Sequence, residues 1–136
     1  MIRRDALNWL KEAQADLKRA LKALSDGDYA LSAFMAQQAC EKAFKAAYLG
    51  LAKQLYPRTH DLVVLFAGLK DYLKLPSSVV ESLPEVSQYY VTARYPNAGL
   101  EVPSESISKM QAARACEVAS KVVLTVEEEF KRAEDP

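Results

Sequence analysis

The residues best suited to chemistry fall in three places. The first is Tyr89-Tyr90-Val91-Thr92-Ala93-Arg94-Tyr95-Pro96. An arginine among tyrosines at a helix end, just before a loop, suits phosphate pairing and base stacking. The same arginine could instead cap the last-turn carbonyls and pack on the rings. The second is Gln37-Gln38-Ala39-Cys40-Glu41-Lys42-Ala43-Phe44-Lys45. Here Gln38, Lys42 and Lys45 share one helical face, and Gln37, Glu41 and Lys45 form an adjoining row. On an exposed helix this is an ordinary side-chain ladder. On a central helix such a row has to be paired, and it marks a specific interaction. The third is Arg58-Thr59-His60-Asp61. His60 is the sole histidine, so it alone could do acid–base work with an imidazole. In the first turn of a helix a structural role is the commoner alternative.

Other chemistries find no support. The carboxylates Asp16, Asp26, Asp28 and Glu41 have the spacing of neither a metal site nor a glycosidase pair. There is no P-loop, GxGxxG, GxSxG or HExxH. Two cysteines and one histidine do not make an ordinary zinc ligand set. No metal and no cofactor is expected.

Helices must position these groups. Ala6, Leu10, Ala13, Leu17, Ala20 and Leu24 recur at spacings of four and three, which predicts an amphipathic helix over 3–24. Ser25-Asp26-Gly27-Asp28 breaks it, with Gly27 suited to the left-handed position and Asp28 to the next N-cap. The second helix, 29–54, is dense in alanine, so a neighbour can approach closely and the helix should be central. Pro57 stops it. Thr59 is expected to cap a third helix over 60–73. Ser78-x-x-Glu81 and Ser82-x-x-Glu85 both fit the capping box, and Pro84 suits a first turn. They predict a short helix over 78–82 and another over 85–93. Pro96, Asn97, Gly99 and Pro103 mark a loop over 95–103. A last helix runs over 104–132, with Glu127-Glu128-Glu129 as a solvated face. No strand pattern competes. The expected fold is all-α: an up-and-down antiparallel four-helix bundle with a short extra helix before the last long one.

Composition agrees. The chain has 136 residues, one domain by length over 1–136. Basic and acidic side chains number 18 each, so a uniformly basic nucleic-acid or membrane binder is excluded. The excess is split: residues 1–74 carry 12 basic and 8 acidic groups, and residues 75–136 carry 6 and 10. The first three helices could offer a basic face, or the halves could complement each other within the bundle or across a dimer; an excess of four charges favours complementarity. The opening MIRRDALNWLKEAQ has basic residues but no apolar run, so no signal peptide is expected. No stretch is long and apolar enough to span a membrane. Cys40 and Cys116 lie in helical patterns and read as buried free thiols of a reducing cytoplasm, with a disulfide between them as the alternative.

The segments Ala33-Phe34-Met35-Ala36-Gln37-Gln38-Ala39-Cys40-Glu41-Lys42-Ala43-Phe44-Lys45-Ala46, Thr59-His60-Asp61-Leu62 and Tyr90-Val91-Thr92-Ala93-Arg94-Tyr95-Pro96 resemble the HEPN domain. Trp9-Leu10-Lys11-Glu12-Ala13 with Asp16-Leu17 is similar to its usual opening. The resemblance spans nearly the whole chain, in order. It implies a four-helix bundle with a short extra helix, usually a homodimer, and nucleotide binding. It also implies a minimal nucleotidyltransferase partner, in some members as toxin and antitoxin. Many HEPN proteins are metal-independent ribonucleases. Their site is an arginine followed, after four to six residues, by a histidine at the dimer cleft. Arg94 matches that arginine. The histidine would fall at Gly99, Leu100 or Glu101, and none is His. The expected function is therefore non-catalytic nucleotide or RNA binding, with Arg94 on phosphate, Tyr95 or Tyr90 stacking, and Gln38, Glu41 and Lys42 lining the cleft. The alternatives are a divergent ribonuclease toxin, with Arg94 and His60 as catalytic candidates, and a pure protein-interaction module.

Overall fold

A computed structural model of the chain describes residues 1–134. It has six helices and no strand among those residues: α1 (Arg4–Ser25), α2 (Tyr29–Ala47), α3 (Leu62–Ala67), α4 (Ser77–Thr92), α5 (Pro103–Ser106) and α6 (Lys109–Glu134). The long helices α1, α2, α4 and α6 form the bundle, and α2 packs against all the others. Ala33, Ala36, Ala39, Ala43, Ala46 and Ala47 are fully buried. With no bulk beyond Cβ, they let α1 and α6 close on α2 from either side. The small-residue pattern thus marks the centre of the fold.

The turn between α1 and α2 follows its sequence. Gly27 has φ 79°, and the Asp28 carboxylate accepts the N–H of Leu31. The end of α2 departs from expectation. The α-helix gives way to a π-helical turn, Tyr48–Ala52, which Lys53 ends at φ 58°. A Cβ on Gly50 would stand 2.6 Å from the Phe130 ring and 3.3 Å from Ala6. Only glycine lets this turn sit against both α1 and α6.

Three further expectations are corrected. The third helix is shorter than 60–73 at both ends: Asp61 and not Thr59 is its N-cap, with Oδ1 accepting the N–H of Val63 and Val64, and it stops at Ala67 with Gly68 as C-cap. Thr59 Oγ1 instead accepts the N–H of Asp61. The segments 78–82 and 85–93 are one helix, α4, with Pro84 inside it. Val79, Leu83, Val86 and Tyr89 are all buried, and this continuous stripe outweighs the missing proline N–H. Neither capping box forms. Ser82 donates to the carbonyl of Ser78, and Glu85 pairs with Arg114 on α6 at 2.6 Å. Finally, the last helix begins at Lys109, after the separate turn α5. Cys40 and Cys116 are free and buried. Burial pushes both thiols above their ordinary pKa, so they lack thiolate character. No helix among the described residues is long and apolar enough to cross a membrane.

Candidate functional site

The row Gln37, Glu41 and Lys45 lies on the buried side of α2. Glu41 is its hub. Oε2 accepts from Lys45 Nζ at 2.9 Å. Oε1 receives His60 Nδ1 at 2.9 Å and Gln37 Nε2 at 3.2 Å. Gln37 Nε2 also donates to the His60 carbonyl at 3.0 Å, and Gln38 Nε2 donates to Gln37 Oε1 at 2.7 Å. Burial pushes the Glu41 carboxyl up. The hydrogen bonds from Lys45, His60 and Gln37, with the charge of Lys45, outweigh it and hold the group below its ordinary value. An ionised carboxylate only accepts, so His60 Nδ1 is the donor. The tautomer is then set by Glu41, and Nε2 is left for another partner. Lys45 also lies over the rings of Trp9 and Tyr56, at 5.5 and 5.1 Å, which ties the hub to α1.

His60 carries the network to α4. Its ring stacks on Tyr90 with centroids 3.8 Å apart and planes 13° apart. The Arg94 guanidinium carbon lies 4.3 Å from the same Tyr90 ring, 4.8 Å from Phe34 and 4.7 Å from Tyr95. Imidazole and guanidinium thus share Tyr90 as a common neighbour. Arg94 Nε donates to the Tyr90 carbonyl, so the arginine caps the end of α4 and packs on rings. Its two Nη groups have no protein partner among the described residues. They form a donor fork at an exposed position, backed by three aromatic rings. That arrangement suits a phosphate better than a lone surface lysine would.

An open groove of about 480 Å³ runs beside this cluster and is lined in part by His60, Asp61, Ser87, Tyr90 and Thr92. Ser87 Oγ accepts the N–H of Leu62, which ties the start of α3 to α4 and fixes the His60 loop against the groove. Among the described residues no group of His, Cys, Asp or Glu side chains is arranged for a metal ion.

Of the residues singled out from sequence, the structure brings Glu41, His60, Tyr90, Arg94 and Tyr95 into one connected cluster, with Gln38 at its edge through Gln37. Lys42 points elsewhere. Its ammonium is 2.6 Å from Asp16 and 3.8 Å from Glu12 on α1. Phe34 is a site residue that sequence reasoning misses. It precedes Gln38 by one helical turn, and that spacing is the available signal. The Lys45 contact with Trp9 and Tyr56 leaves no sequence signal, since it needs the chain after α2 to fold back.

The comparisons with known proteins agree with this architecture. A family model of the HEPN domain matches residues 6–129. The solved structure of TT1696 from Thermus thermophilus is 33% identical with TM-score 0.83, covering 93% of this chain and 99% of that one. ST0689, an archaeal HEPN homologue, is 25% identical with TM-score 0.74, covering 92% and 97%. The HEPN domain protein TM0613 from Thermotoga maritima is 21% identical with TM-score 0.69, covering 92% and 98%, a likeness of fold. No curated protein matches the chain.

Proposed function

The chain belongs to the HEPN domain family, and on that premise we propose that it binds a nucleotide or RNA phosphate at Arg94, without catalysis. We propose further that it acts in the cytoplasm as a homodimer paired with a minimal nucleotidyltransferase, in a toxin–antitoxin manner. HEPN proteins are commonly dimeric, and that supports the assembly. The ligand reading rests on one observation: Arg94 presents free donors at the end of a ring stack that already includes Tyr90 and His60. Arg94 pairs the phosphate, and the rings present π-faces to a base. Glu41 and Gln37 hold His60 in place. Gln38 and Lys42 complete the proposed lining, with Lys42 needing to leave Asp16 to do so.

Calorimetric titration with ATP and with a short single-stranded RNA, at two salt concentrations, tests this. Wild type binds, and binding weakens as salt rises. Arg94→Ala loses about tenfold to a hundredfold in affinity, the worth of charge-assisted hydrogen bonds. Equal affinity in the variant would end the reading. An absence of binding by wild type would leave the protein-interaction module.

A second reading, a metal-independent ribonuclease, is favoured by the Glu41–His60 contact. With Nδ1–H held by Glu41, His60 Nε2 can take the proton of a 2′-OH or give one to the leaving oxygen, with Arg94 on the phosphate. His60 would then act from before α3, in place of the missing residue after Arg94. Incubation of RNA with wild type and His60→Gln decides it: cleavage that His60→Gln abolishes supports the enzyme. RNA left intact by wild type rejects it.

A further inference from the structure

A second opening lies away from this cluster, where the first half of α1 runs beside the end of α6. It encloses about 630 Å³, within the range of small-molecule sites. Its floor is apolar: Leu10 and Phe130 are buried, and Leu7 is 37% exposed. Phe130 lies low for a local reason. A Cβ on Gly50 would stand 2.6 Å from its ring, so only glycine there lets the ring sink onto the π-helical turn. The space above the ring, between the two helices, is left open.

The opening has ends. Glu134 Oε1 accepts the N–H of Ile2 at 2.7 Å, and Gln14 Nε2 donates to Glu127 Oε2 at 3.2 Å. Both bonds tie the N-terminal segment to α6 across the trough. Between them the α6 wall runs from Glu127 to Glu134, and the facing α1 wall from Leu7 to Gln14. Each is two turns, or about 10 Å at 1.5 Å per residue. A partner's helix anchored at i, i+4 and i+7 would need the trough to continue past both ties. A space closed at this length fits a small molecule instead.

The rim sets the head group. Glu127 is fully engaged, since its other oxygen pairs with Lys131 at 3.3 Å. Glu134 is held by Ile2. Lys11, one helical turn from Leu7, is exposed on the rim and makes no ion pair among the described residues. The charge left over for a ligand is therefore a cation beside an apolar floor.

We propose that this pocket binds a small carboxylic acid with an apolar body, of the medium-chain fatty acid class. The carboxylate lies on Lys11, and the chain lies over Leu7, Leu10 and Phe130. The proposal does not depend on the phosphate reading of Arg94, which concerns the other end of α4.

The test is calorimetric titration of the full chain with octanoate, kept below its micelle concentration, beside hexanoate, dodecanoate and the neutral octanol. Octanoate should bind one to one. Affinity should rise from hexanoate to octanoate by up to about fourfold per methylene, and level off by dodecanoate as the chain outruns the two turns. Lys11→Gln should weaken octanoate about twofold to fivefold, the range for an exposed ion pair, and leave octanol unchanged. Leu7→Glu, at an exposed helical position, should abolish binding of both while leaving the helical circular dichroism and its melting unchanged. Failure of octanoate to saturate wild type would overturn the proposal, as would binding that survives Leu7→Glu. Affinity that keeps climbing through dodecanoate would also overturn it, because the trough would then be open-ended. Sedimentation run in parallel covers a second copy as occupant: a wild-type dimer that ignores octanoate and that Leu7→Glu splits would make this face a contact between copies, and the acid site would fall.

Discussion

Glu41→Ala lowers the free energy of unfolding by about 4 kcal/mol, within the range for breaking a buried ion pair. The size follows from what the truncation strands. Lys45 is the first loss: its side chain is only 11% exposed, and Glu41 is its one carboxylate partner among the described residues. Gln37, fully buried, loses an acceptor, and His60 Nδ1 loses another. A domain with about 5–15 kcal/mol to spare could fail to fold on this change, so Glu41→Gln is the companion variant. It keeps an oxygen for His60 and Gln37 but removes the charge. The pH dependence separates the two contributions. The folded Glu41 carboxyl lies below its ordinary value. Its stabilisation is therefore complete above the unfolded glutamate pKa, about 4.3. It is lost as pH falls through the lower folded value. Urea unfolding at a series of pH values should show wild type losing stability below about pH 4.3, and Glu41→Gln losing less over the same interval. Equal acid limbs would mean that other carboxylates carry the effect.

That hub is half legible in the sequence. The row Gln37, Glu41 and Lys45 can be read from helical spacing, and the alanine density of α2 says that the row is buried and so must be paired. The identity of the partners cannot be read. His60 lies 19 residues beyond Glu41. Its return depends on the π-helical turn at Tyr48–Ala52 and the left-handed Lys53, neither of which has a local signature strong enough to announce it. Arg94 is easier, because tyrosines, a helix end and Pro96 are all local signals. Pro84 misleads for the converse reason. The break follows from a local rule, while the buried stripe from Val79 to Tyr89 is set by packing on α2 and α6. The bundle itself comes through because apolar periodicity in the long helices and their packing demand the same arrangement.

Lys42→Ala lowers the free energy of unfolding by about 3 kcal/mol, at the low end for a broken buried ion pair. Its partner sets the cost. The Asp16 side chain is 1% exposed, and its two oxygens are divided, with Oδ1 taking Arg19 and Oδ2 taking Lys42. Removing Lys42 leaves one oxygen of a buried carboxylate without a donor. Arg19 remains, which keeps the cost at the low end. Sequence spacing places Lys42 beside Gln38 as a cleft residue, and the two roles predict different pairs of measurements. If the ammonium serves α1–α2 packing alone, Lys42→Ala loses stability while nucleotide affinity, measured well below the unfolding temperature, stays near wild type. If it also meets the ligand, affinity falls alongside stability, and it falls more at low salt than at high. Arg94→Ala should give the opposite pattern, a loss of affinity with little loss of stability, because its side chain is exposed and its one hydrogen bond is to a carbonyl at a helix end. The two adjoining polar rows of α2 would then divide by neighbour. Lys42 would hold α1 through a buried carboxylate, and Glu41 would hold the imidazole that faces the ligand groove.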